Sequence, residues 1–215
     1  MIADETLTRE GLEAAGKGRV LVLACGALAR EILAIRDISS LDHIDLHCLP
    51  AILHNHPERI PAAVEATLAE RAGRYDRAFV AYADCGTGGQ LQAACDRLGV
   101  EMIAGPHCYA FFDGIDRFAA RDEIDAFYLT DFLARQFDAF VTRPLGLDRH
   151  PELRDMYFGN YRTLVYLAQT DDPALTERAR QAADALGLAF ERRPTGYGDL
   201  RPILAGLDSD GAVHG

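Results

Sequence analysis

The chain has no tryptophan and no run of eighteen or more apolar residues, so no transmembrane helix is expected. Cations are in the minority: 22 Lys and Arg stand against 33 Asp and Glu, a net charge of -11. That balance argues against nucleic acid or an anionic membrane as partner, because both demand a basic face. The N-terminal segment is acidic and polar, without the basic and apolar regions of a secretory signal. Five cysteines, an odd number, with no CxxC pair then point to reduced thiols and a cytoplasmic protein rather than a disulfide scaffold. Also missing are GxGxxG, Walker A, a serine nucleophile elbow, HExxH and a calcium loop. NAD, ATP and a hydrolase triad are therefore unsupported.

What is present is an alternation of strand and helix signals. Short apolar runs at 19–24, 44–49, 78–83 and 101–104 read as strands, and 163–168 and 188–192 extend the series. Helical spacing follows at 27–35, from Pro57 to about Arg74, at 88–98 and at 174–186, with Gly99 and Gly187 as C-caps. Residues 126–142 carry aromatics and leucines three or four apart, predicting a core-facing helix. Further helices are expected near Pro151 and Asp199. The order predicts an α/β fold: a doubly wound, mainly parallel sheet (Rossmann-like or flavodoxin-like) with a helical insertion between strands four and five. One domain over 1–207 is expected, followed by a flexible tail, 208–215.

Cys25, Cys85 and Cys108 each fall where a strand run gives way to a helix. In a parallel sheet such positions share the carboxyl edge, where open α/β folds bind ligands. Three thiols meeting there would make a metal site, for zinc or for a [4Fe–4S] cluster held by three cysteines. Packing is the competing reading, since free cysteine is among the most buried residue types. Cys48, inside a strand, and Cys95, on a helix, read simply as small hydrophobes. His54 and His56 follow strand two, and His107 adjoins Cys108. His54 and His107 are candidates for a fourth ligand or an acid/base, although a loop histidine is more often solvated. Asp84 could orient a ligand from the second sphere. The turn Gly86-Thr87-Gly88-Gly89 offers backbone N–H groups for an anionic group of a cofactor or substrate, or is only a tight turn that needs glycine. Asp131 sits in the aromatic-rich segment, where a buried acid needs a partner.

Several stretches carry a family resemblance: Ala24-Cys-Gly-Ala-Leu28, His54-Asn55 with Pro57, Tyr82-Ala-Asp-Cys-Gly-Thr-Gly-Gly89 and Gly105-Pro-His-Cys-Tyr109. Leu129-Thr-Asp-Phe-Leu133, Leu145 to Leu153 and Tyr166-Leu-Ala-Gln169 extend it. In these the chain resembles an uncharacterised bacterial and archaeal family, domain of unknown function 1638. Members of that family are often encoded near corrinoid-dependent methyltransferases, so the resemblance implies one-carbon metabolism and a possible corrinoid or methyltransferase partner protein. The corrinoid-binding motif DxHxxG is missing here. Two functions follow as expectations. One is a metal-thiolate enzyme acting on a small molecule, by methyl or sulfur transfer or a lyase step. The other is a non-catalytic metal- or cofactor-binding accessory. A metal-free site with Cys85 as nucleophile or redox centre is a third reading.

Overall fold

The computed structural model describes residues 2–207, and the expected tail at 208–215 lies outside the described residues. The described chain forms two sheets with helices between the strands, a mixed α/β structure. The described residues separate into two compact units, 2–108 with 199–207, and 109–198.

In the first unit the strands are β1 (Leu12–Ala14), β2 (Val20–Cys25), β3 (Ile44–Leu49), β4 (Arg77–Ala81) and β5 (Glu101–Met102). Their order across the sheet is β1-β3-β2-β4-β5, and every pairing is parallel except that of β1 with β3. All six residues of β2 are buried, which suits a central strand with no solvent-facing side. From β2 the chain moves to β3 on one side and then crosses to β4 on the other. Such a reversal is where open α/β sheets bind ligands, at the carboxyl ends of the strands. The helix Leu200–Ala205 packs on the helix Ala29–Ile38, and His43 Nε2 meets the Leu207 carbonyl at 2.8 Å. The segment 200–207 is thereby tied to this unit.

The second unit holds a separate parallel sheet: β6 (Ala126–Leu129), β7 (Thr163–Ala168) and β8 (Ala189–Pro194), in the order β6-β7-β8. Alternate residues of β7 face opposite ways. Leu164, Tyr166 and Ala168 join Leu175, Ala179 and Leu186 of the helix Pro173–Leu186, while Val165 and Leu167 join Tyr128 and Phe118.

Two expectations need correction. A single sheet continuing past strand four is replaced by two sheets, because the late strands pair only with one another. The predicted helix 126–142 is strand β6, then the helix Asp131–Arg135 and a π-helical turn, Asp138–Thr142. Thr130 breaks the run: it is extended, and its hydroxyl accepts the Leu133 N–H as a helix N-cap.

Candidate metal centre

Four of the residues singled out by sequence converge beyond the carboxyl ends of β2, β3, β4 and β5. Cys25 ends β2, and its sulfur caps the short 3-10 helix Gly26–Leu28 by accepting the Ala27 N–H at 3.3 Å. After β3, Pro50 turns the chain into the 3-10 helix Ala51–Asn55, which carries His54. His54 Nδ1 lies 3.4 Å from the Cys25 sulfur.

Cys85 and Cys108 are brought together by the backbone. Ile103 N–H continues the strand ladder to the Val80 carbonyl, Asp84 N–H reaches the Gly105 carbonyl at 3.0 Å, and Cys85 N–H reaches the Pro106 carbonyl at 2.9 Å. The two loops thus run zipped together past the strand ends, and the Cys85 and Cys108 sulfurs meet at 3.1 Å. Cys85 itself has φ of +48°, a left-handed conformation that a non-glycine residue adopts only where its surroundings enforce it.

His54, Cys85 and Cys108 each offer a donor atom within 4.8 Å of the others, a group that can hold a metal ion. Cys25 lies outside this trio and touches it through the imidazole. All three cysteines are buried, and His54 is partly exposed.

The electrostatics are those of a shared proton network. Hydrogen bonding from Cys108 holds the Cys85 thiol well below its ordinary value, with help from His54 and against the effect of burial. The same hydrogen bond, followed by burial, pushes the Cys108 thiol far up. Burial alone would lower the His54 imidazole, but the Cys25 and Cys85 sulfurs outweigh it and raise the ring well above the ordinary range. The shifts thus run in opposite directions: the surroundings favour ionisation of Cys85 and protonation of His54 and Cys108. A cation at such a group would compete with protons for the donor atoms, as metal binding to thiols and imidazole generally does.

The flanking residues have narrower roles. Asp84 is engaged by its own turn. Its carboxylate accepts the Thr87 hydroxyl at 2.8 Å, the Gly89 N–H at 2.6 Å and the Gly88 N–H at 3.2 Å. The N–H groups of Gly88 and Gly89, which sequence offered to an anion, are therefore taken by the chain's own carboxylate. Gly86 is exposed and packs near Pro57, while Thr87 is buried. Asp84 so fixes the turn that presents Cys85 and leads into the helix Gln90–Leu98. Burial pushes the His107 imidazole below its ordinary value, against the pull of Cys85 and Asp84. Cys48 and Cys95 are buried.

The turn makes a pH prediction. Hydrogen bonds from Gly89, Thr87 and Gly88 hold the Asp84 carboxyl below its ordinary 3.8. A depressed carboxyl contributes stability above its unfolded-state pKa, and that contribution is lost as pH falls through the folded value. Asp84→Asn should cost about 1 kcal/mol at pH 7, the figure being modest because the group is partly solvated. Urea unfolding at pH 7 and at pH 3 measures this, and the gap between the two proteins should shrink at the lower pH.

One residue of the centre went unread in the sequence. Tyr82 lies in an apolar strand run, where an aromatic reads as core, yet its ring stacks on His54 with centroids 6.2 Å apart and planes at 14°. It is fully buried, and its hydroxyl has no hydrogen-bond partner.

Fold and site together define an α/β protein with a thiol–imidazole group able to hold a metal ion. Residues 48–204 match the family model described as Protein of unknown function (DUF1638), and the chain belongs to that family. The matched region carries His54, Cys85 and Cys108 and begins after Cys25. No curated protein and no solved structure matches the chain. Among the described residues, no helix is long and apolar enough to cross a membrane.

Proposed function

We propose that this protein is a metal-thiolate enzyme of small-molecule metabolism, with Cys85, Cys108 and His54 as metal ligands and Cys25 supporting the imidazole from behind. One observation carries the reading: two thiols in contact at 3.1 Å and an imidazole, supplied by three separate loops, all within one 4.8 Å group. Soft sulfur with imidazole is a donor set that suits zinc. The orphaned hydroxyl of Tyr82, whose ring stacks on His54, fits the same reading, since a buried polar atom ordinarily has a partner.

Zinc is favoured over an iron–sulfur cluster. Thiolates that ligate separate irons stand apart around the cluster, whereas Cys85 and Cys108 are in direct contact. Two sulfurs and one nitrogen leave a fourth position for a substrate, as in catalytic zinc sites. When bound there, zinc would supply Lewis acidity or the activation of a thiol, the chemistry that methyl or sulfur transfer and one-carbon metabolism require. For this chain's residues the task is then defined: Cys85 and Cys108 would hold charge, His54 would bind through its imidazole, and Cys25 and the Ala51 carbonyl, both in contact with Nδ1, would set the ring.

The alternative is a non-catalytic, metal-binding accessory of a corrinoid methyltransferase system. Its support is Cys25, close enough to His54 to act as a fourth donor and close the site. Elemental analysis and an absorption spectrum of protein purified without oxygen test the proposal. The expected result is one zinc per chain and no visible band. Iron with sulfide and a broad visible absorbance would replace zinc with a cluster, and the absence of any bound metal would end the reading.

A further inference from the structure

Among the described residues, Tyr82 Oη is the one buried side-chain hydroxyl without a partner. Leaving such a group unpaired costs about 1–3 kcal/mol, so its retention calls for a use. The side chain has no freedom to find a partner elsewhere. Tyr82 directly follows β4, the next residue, Ala83, gives its N–H to the Cys108 sulfur, and Asp84 is pinned to Gly105. The ring meanwhile lies parallel to the His54 imidazole. The phenol is thus held by the same zippered loops that join Cys85 to Cys108, within the electrostatic influence of the Cys25, Cys108, Cys48 and Cys85 sulfurs.

The sulfurs and the imidazole satisfy one another: Cys25 with His54 and Ala27, Cys85 with Cys108. None of these contacts includes the phenol. An ordinary phenol is a neutral donor at physiological pH, with a pKa of about 10. Its natural complement is an acceptor atom, above all an anionic one, brought in by something else.

Resting on the metal-centre reading above, we propose that the Tyr82 hydroxyl donates a hydrogen bond to the anionic atom, thiolate or carboxylate, of a small ligand bound in the open position at Cys85, Cys108 and His54. Tyr82 would then select for ligands whose metal-bound atom carries charge, in a site otherwise lined by sulfur and an aromatic face.

Cobalt(II) in place of zinc gives a spectroscopic test that needs no known reaction. Cobalt is loaded into the unaltered chain and into Tyr82→Phe, and each is titrated with 2-mercaptoethanol and with acetate while the visible spectrum is followed. Removing an orphaned hydroxyl leaves packing intact, so both proteins should fold and take up cobalt equally. The probes should perturb the unaltered spectrum and bind at least about tenfold more weakly to Tyr82→Phe, the loss of one hydrogen bond to a charged acceptor. Equal probe affinities in the two proteins would overturn the role of Tyr82 and leave the metal centre standing. A cobalt spectrum that neither probe perturbs would mean a closed site and would overturn it too. If the unaltered chain takes up no cobalt or zinc, the centre itself fails and this inference falls with it.

Discussion

Replacing Cys85 and Cys108 together by serine should lower zinc affinity by on the order of a thousandfold or more, the largest functional effect expected of any change in this chain. The two sulfurs supply all the anionic donors of the trio, so the double variant leaves His54 alone with two hydroxyls, which are poor zinc ligands at neutral pH. Competition with a chromophoric chelator measures the affinity directly. Circular dichroism of the metal-free proteins separates loss of ligands from loss of fold. Cys95→Ser is the control: that thiol is buried on the helix Gln90–Leu98, and its removal should leave zinc affinity unchanged. An unchanged affinity in the double variant would mean the sulfurs meet at 3.1 Å for packing alone.

The same measurement on Cys25→Ser decides between the enzyme and the accessory. If Cys25 only orients the imidazole through Nδ1, the affinity should fall 10- to 100-fold, the usual effect of losing a partner that supports a ligand. A drop comparable with that of either ligand cysteine alone would make Cys25 the fourth donor. The site would then be closed, with no position left for substrate.

How much of this was legible in the sequence follows from what periodicity encodes. The strands that carry the site, β2, β3 and β4, are short apolar runs ending in proline, glycine or cysteine turns, and they were located within a residue or two. Their shared carboxyl edge follows from parallel pairing alone, so the meeting of Cys85 with Cys108 and the nearness of His54 and Cys25 could be anticipated. Which donors make the closest group could not. That depends on Asp84 and Cys85 zipping to Gly105 and Pro106, backbone contacts that no side-chain pattern records. Tyr82 was invisible for a related reason, since an aromatic in a strand looks the same whether or not its hydroxyl is satisfied. The second sheet was missed because Ala126-Phe-Tyr-Leu129 and the helix after it share a continuous apolar run. Three or four residues of strand cannot display a period of two against it.

In that second sheet, Asp131→Ala should cost about 3–5 kcal/mol, the largest stability effect expected. The carboxylate is buried at the carboxyl ends of β6 and β7 and is fully engaged. Oδ1 accepts the Tyr166 hydroxyl at 2.7 Å and the Gln169 N–H at 3.0 Å, while Oδ2 accepts the Thr170 N–H at 3.0 Å and the Thr170 hydroxyl. In return, Asp131 N–H donates to the Gln169 side chain at 2.7 Å. One carboxylate therefore ties the loop after β6 to the loop after β7. Burial and this bond also hold the Tyr166 phenol far above its ordinary range, so it remains a donor. Alanine would strand the buried Tyr166 hydroxyl and Gln169 N–H without an acceptor in the interior and release the exposed Thr170 to water. Asparagine keeps the shape but turns an N–H group toward donors, so it should rescue little. Urea unfolding gives the loss of stability. Hydrogen exchange of the 163–170 segment should show its amides opening far more readily in Asp131→Ala, while the exposed Asp138→Asn stays within about 0.5 kcal/mol of the unaltered chain. A stability change of that small size for Asp131→Ala would show that water readily replaces the carboxylate, and that the two loops are held by their apolar packing.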